Sequence, residues 1–88
     1  MLTEDIQRKL KSVFGGDAPK AKKILEDTLA SEKLSARTCR CVIVLSGNSL
    51  EKLQEIANEA KQDFRDVIFW AEYDKSGERI ADYNMPFT

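Results

Sequence analysis

The 88-residue sequence predicts a small domain built mainly from helices. Three stretches carry this reading. Thr3 precedes apolar positions at Ile6, Leu10, Val13 and Phe14. Asp17 precedes Ala21, Ile24, Leu25, Thr28 and Leu29. Asn48 precedes Leu50, Leu53, Ile56, Ala57 and Ala60. Each is a polar N-cap residue followed by apolar residues at the helical period. Two further stretches fit either helix or strand. The residues therefore leave two architectures open. One is an all-α, compact bundle of four to five short helices with an extended C-terminal tail. The other is an α+β domain in which two N-terminal helices pack with a βαββ unit.

In the first element Thr3 is the expected N-cap, with Glu4 and Asp5 in the first turn, where the helix dipole favours acids. Leu2, Ile6, Leu10, Val13 and Phe14 share one face. Gly15-Gly16 ends the helix, as glycine does at helix C-termini. Asp17 opens the second helix, with Pro19 tolerated in its first turn. Its wet side carries Lys20, Lys22 and Lys23, and it fades around Ser31 to Leu34.

The stretch Arg37 to Ser46 is two-valued. Cys39, Cys41, Ile43 and Leu45 alternate with Thr38, Arg40, Val42 and Val44, as in a strand. Ala36, Cys39, Val42, Ile43 and Ser46 fall at helical spacing behind Ser35. A short apolar run does not decide between these readings. Asn48 and Glu51 then have the spacing of a capping box. The outer face of that helix is Glu51, Lys52, Glu55, Glu59, Lys61 and Gln62.

Asp63 and Asp66 repeat the spacing of a helix start, with Val67, Ile68, Trp70 and Ala71 following. The rival is a strand Val67–Tyr73, a turn at Lys75-Ser76-Gly77, and a returning strand Glu78–Tyr83. Residues 84–88 read as a mobile or extended tail, because Pro86 disfavours helix at Met85.

Composition narrows the function classes. The apolar and charged fractions, 42% and 33%, are those of a globular domain. Net charge is −1, so the chain as a whole is not an electrostatic nucleic-acid binder. Residues 1–40 nevertheless carry nine Lys/Arg and six Asp/Glu, and residues 41–88 carry five and nine. That asymmetry would suit self-association or an acidic partner. The basic cluster Arg8, Lys9, Lys11, Lys20, Lys22 and Lys23 is the only place for weak nucleic-acid binding. Asp17, Glu26 and Asp27 dilute it, and no aromatic interleaves with it.

The longest apolar runs, Cys41–Leu45 and Val67–Ala71, are five residues each, against the ~20 a membrane span needs. No basic leader opens the chain, so a soluble cytoplasmic protein with no membrane partner is expected. There is no histidine, which excludes Ser-His and Cys-His nucleophiles. Gly15-Gly16 lacks the Lys-Ser/Thr of a phosphate loop. Cys39 and Cys41 are too close for an ordinary structural disulfide and have no partners for a zinc site, so free buried thiols are expected. No cofactor or metal is expected. Asp63, Asp66 and Glu72 are the one carboxylate set that could make a small metal-dependent or carboxylate-based enzyme site. Helix capping accounts for Asp63 and Asp66 more simply.

The block Leu45-Ser46-Gly47-Asn48-Ser49-Leu50-Glu51-Lys52-Leu53, then Ala60, Asp63-Phe64-Arg65-Asp66-Val67-Ile68 and Trp70-Ala71-Glu72-Tyr73, resembles a group of small bacterial proteins of uncharacterised function. Their pattern is Gly-(Asp/Asn)-x-Leu-x-x-Leu, Ala-x-x-Asp-aromatic-Arg-Asp-Val and Ala-Glu-Tyr. The resemblance spans residues 36–73. It implies a helix over 36–46 and hence the all-α bundle. Cys39, Cys41 and the Val-Ile-Val run depart from the group's pattern. It implies no activity.

Four of the seven aromatic residues lie between Asp63 and Tyr73. Phe64, Val67, Ile68 and part of the set Phe69, Trp70 and Tyr73 are expected in the core, with one of the adjacent Phe69 and Trp70 left partly exposed. The expected function is a non-catalytic protein-interaction or self-associating module. Its candidate partner-binding residues are Arg65, Trp70, Glu72 and Tyr73.

Overall fold

The computed structural model describes residues 2–32 and 35–87, with backbone alone over 29–32. Among them are α1 (Glu4–Phe14), a 3₁₀ turn (Gly15–Asp17), α2 (Ala18–Glu32), α3 (Ala36–Ser46), α4 (Leu50–Gln62) and α5 (Phe64–Glu72). The protein is an all-α bundle, and no strand occurs among the described residues. The α+β alternative is thereby corrected at both ambiguous stretches. What remains of the expected hairpin is a turn and one isolated antiparallel bridge between Tyr73 and Arg79.

Helix α3 lies at the centre and touches α1, α4 and α5, while α2 packs against α1 and α4. This position explains why its sequence misleads. Thr38, Cys39, Arg40, Cys41, Val42, Ile43 and Ser46 are all buried and the exposed position, Val44, is itself apolar, so no polar face interrupts the apolar pattern. Ser35 caps it, its hydroxyl accepting from the Thr38 amide at 3.3 Å. At its end Gly47 has φ +65°, a conformation that L side chains rarely adopt, which reverses the chain into α4.

The core is one contiguous cluster. Leu2, Ile6, Leu10 and Phe14 come from the N-terminal segment and α1, and Ala18, Ala21 and Leu25 from α2. Cys39, Cys41, Val42 and Ile43 come from α3, Leu53, Ile56, Ala57 and Ala60 from α4, and Val67 and Ala71 from α5. Each fully buried aliphatic side chain contributes about 1.5–3 kcal/mol. These faces agree with the helical spacing in the sequence. Thr28 is buried, its hydroxyl donating to the Ile24 carbonyl at 2.9 Å. The Leu29 side chain and residues Lys33 and Leu34 lie outside the described residues.

The helix starts need three adjustments. Thr3 does sit at the N-cap of α1, but its hydroxyl donates to Asp5 at 2.5 Å and caps no amide. Asp17 closes the 3₁₀ turn that leads directly into α2. The N-cap of α4 is Ser49 and not Asn48: the Ser49 hydroxyl accepts from the Lys52 amide at 3.2 Å. The turn after Gly47, with the Ser49 amide bonded to the Ser46 carbonyl at 3.3 Å, delays the helix by one residue. Asp63 behaves as expected. It ends α4 and caps α5 by accepting from the Arg65 amide at 3.0 Å.

The two thiols are free and buried. Burial pushes Cys39 up to about 11 and Cys41 up to about 12. Both should therefore resist a thiol reagent such as DTNB in the folded protein and react stoichiometrically in denaturant. Fast labelling under native conditions would contradict this packing.

Candidate functional site

Helix α5 has two sides with opposite roles. Its inner side is built around Glu72, which is fully buried. The Arg37 guanidinium grips the carboxylate with two hydrogen bonds, Nε to Oε2 at 2.9 Å and Nη2 to Oε1 at 2.5 Å. Arg79 donates to Oε1 at 3.1 Å, and the Tyr83 amide donates to Oε2 at 3.0 Å. The Glu72 carbonyl accepts from the amides of Ile80 at 2.7 Å and Ala81 at 3.3 Å. Glu72 thus fixes α3 and folds the C-terminal segment back over α5. The Arg37 guanidinium holds its carboxyl below the usual range, against the opposing effect of burial.

A second buried pair fastens the far end of that segment. Arg40 of α3 donates to Asp5 of α1 through Nε at 2.8 Å and Nη2 at 3.3 Å. Arg40 also donates to the Tyr83 carbonyl at 3.0 Å, and the Phe87 amide donates to Asp5 at 3.1 Å. Lys9 sits 5.3 Å above the Phe87 ring, and Tyr83 and Phe87 pack 6.2 Å apart. The tail expected to be mobile over 84–88 is therefore docked in its described part, 84–87. Between these anchors Asp74 organises the turn, accepting from the amides of Ser76 at 2.9 Å and Glu78 at 3.0 Å.

The outer side of α5 is apolar where a wet face would be expected. Phe69 is 52% exposed, Trp70 47% and Phe64 44%. Residues 66, 69 and 70 point outward together at about 100° per residue, while Val67 and Ala71 point into the core, and Tyr73 follows the helix end on extended backbone. Tyr73 stacks on Phe69 with ring centroids 5.2 Å apart and planes 13° from parallel. With an aromatic side chain presenting some 150–250 Å², the two half-exposed rings of Phe69 and Trp70 offer roughly 200 Å² of apolar surface, while Phe64 lies seven residues before Ala71, on the other side of the helix. That is a modest patch, smaller than the largest apolar patch of roughly 300–600 Å² on a typical monomer. The Arg65 side chain is 80% exposed and pairs with Asp63 at 3.4 Å. So open a pair is worth about 0–1 kcal/mol, which leaves the guanidinium able to turn to another molecule.

The four residues expected at a partner surface divide accordingly. Arg65 and Trp70 lie on the outer side, and Tyr73 borders it, half-buried. Glu72 does not reach the surface, and that expectation is corrected: at the end of α5 it turns inward, where Arg37 of α3 and Arg79 of the C-terminal segment neutralise it. Phe64 is corrected in the other direction. As the first residue of α5 it precedes the turn that meets the core. Phe69 is the residue that sequence reasoning underrated, although its spacing of four from Tyr73 and its place beside Trp70 were visible.

The carboxylate set is not assembled. Asp63 caps α5, Asp66 faces solvent and Glu72 is inside, and no group of three metal-ligating side chains occurs among the described residues. An open trough of about 620 Å³ between α1 and α2 is lined by Gln7, Leu10, Lys11, Gly15, Gly16, Ala18, Pro19 and Lys22. Nothing in it converges on a reacting atom. No described helix is long and apolar enough to cross a membrane. Comparison with family models, curated proteins and solved structures finds no match to this chain.

Proposed function

We propose that the protein is a non-catalytic interaction module that meets a protein partner through the outer face of α5. The observation that carries this is the joint exposure of Phe69 and Trp70 on a helix whose other side is closed into the core. Burying such rings would cost neither partner much side-chain entropy. Trp, Tyr and Arg, all present here, are the residues that dominate binding energy at interfaces. Two unpaired thiols suit a reducing compartment such as the cytoplasm.

The test compares wild type with Trp70→Ala as immobilised bait. Trp70→Ala should lower folding stability by no more than about 3 kcal/mol, because half of the ring is already in water, and the variant should stay folded by circular dichroism. It should lower partner capture at least about tenfold. Equal capture by both forms would take the α5 face out of the proposal.

A further inference from the structure

The trough between α1 and α2 has a chemistry of its own. Its volume of about 620 Å³ lies within the ~300–1,000 Å³ of small-molecule sites. The sequence keeps it unfilled. Gly15 has φ +54°, so the turn out of α1 favours glycine. Gly16 has an ordinary φ and no such need, and a Cβ there would meet no atom within 4 Å. What the second glycine does is leave the corner between the two helices open.

The lining is divided between apolar and cationic groups. Leu10 and Ala18, both buried, and the Pro19 ring supply the apolar part. Lys11, exposed on the last turn of α1, and Lys22, half-buried on α2, supply the charge from both helices. Among the described residues neither lysine forms an ion pair, and no carboxylate lines the trough. Asp17, between Gly16 and Ala18 in the chain, is not part of the lining. We infer that the trough binds a small amphiphilic anion. Its apolar body lies on Leu10, Ala18 and Pro19, and its carboxylate or phosphate head is held by Lys11 and Lys22.

An ammonium group is a compact point charge and does not read head-group shape as a bidentate guanidinium does, so both head groups are accepted. The aliphatic stems of the two lysines extend the apolar walls. An open trough covers one side of such a ligand, and its dissociation constant falls between about 0.1 and about 1 mM. The site is built from α1 and α2, so it stands or falls separately from the α5 face.

Titration with octanoate and with octyl phosphate, followed by ¹H–¹⁵N amide NMR, tests the site. Both should shift the amides of Gly15, Gly16 and Lys22 saturably and leave residues 64–73 in place. Octanol, which lacks the charge, and inorganic phosphate, which lacks the apolar body, should each bind at least about tenfold more weakly. Lys11→Gln and Lys22→Gln remove no ion pair and should keep the wild-type circular dichroism. Each should weaken octanoate about threefold, the scale of one exposed ion pair, and the double change about tenfold. Lys20→Gln, exposed on α2 but outside the trough, should bind as wild type does. Saturation by one of the two anions alone supports the site and assigns its head group. Octanol binding as tightly as octanoate, equal weakening by Lys20→Gln, or shifts centred on residues 64–73 overturns the inference. So does the absence of saturable shifts up to about 10 mM of either anion.

Discussion

Arg40→Ala is expected to destabilise the fold by about 3–5 kcal/mol, the usual cost of removing one member of a buried ion pair. Asp5 would remain behind, 8% exposed, with its carboxylate facing protein where the guanidinium had been. The Phe87 amide and the Thr3 hydroxyl would still donate to it, but neither brings charge. For a domain of this size the melting temperature should fall by more than about 10 °C, read by circular dichroism at 222 nm. The double change Asp5→Leu with Arg40→Met should recover most of the loss, because apolar replacements of a buried pair are often neutral. A single mutant that melts with wild type would show that the pair lies open to water.

Acid should unfold the protein in a defined window. Asp5 and Glu72 both ionise below their ordinary values of 3.8 and 4.5, held there by Arg40 and Arg37. A carboxylate with a lowered folded-state pKa contributes stability above its unfolded-state pKa and loses it as pH falls through the folded value. Stability should therefore be flat from pH 7 to about 5. It should then drop, first as Glu72 and then as Asp5 takes up protons more readily in the unfolded chain. Each contributes up to about 1.4 kcal/mol per pH unit within its window. Urea midpoints measured at intervals between those limits and pH 2 check this. The double change Asp5→Leu with Arg40→Met should leave a shallower slope, carried by Glu72. An acid limb of unchanged steepness would assign it to other groups.

These two ion pairs also show where the sequence stops being readable. Arg37 and Glu72, and Asp5 and Arg40, are each 35 positions apart. Asp5 reads as an ordinary first-turn acid, and Glu72 as one charge in an aromatic strip. Their partners come from α3, whose own identity as a helix is hidden by its burial on three sides. The C-terminal segment was equally opaque. Its anchors are backbone amides, Tyr83 and Phe87, which carry no side-chain signature. The outer face of α5 was half legible. Trp70 and Tyr73 stand three positions apart, and Arg65 and Phe69 four, but hydrophobicity alone placed Phe64 and underrated Phe69.

Local sequence by itself determined, to within a residue or two, where α1, α2 and α4 start and which side of each is buried. Period and capping act over a few residues, and Asp63 and the Leu53–Ile56–Ala57–Ala60 stripe carry them in plain form. The tertiary structure decided the rest: that 36–46 is a central helix, that Glu72 is a buried hub, and that Phe69 and Trp70 face water. The physical reason is that helix spacing fixes which residues share a side but not which side finds a partner. On α5 the core had room for Val67, Ala71 and a neutralised Glu72, and the large rings were left outside.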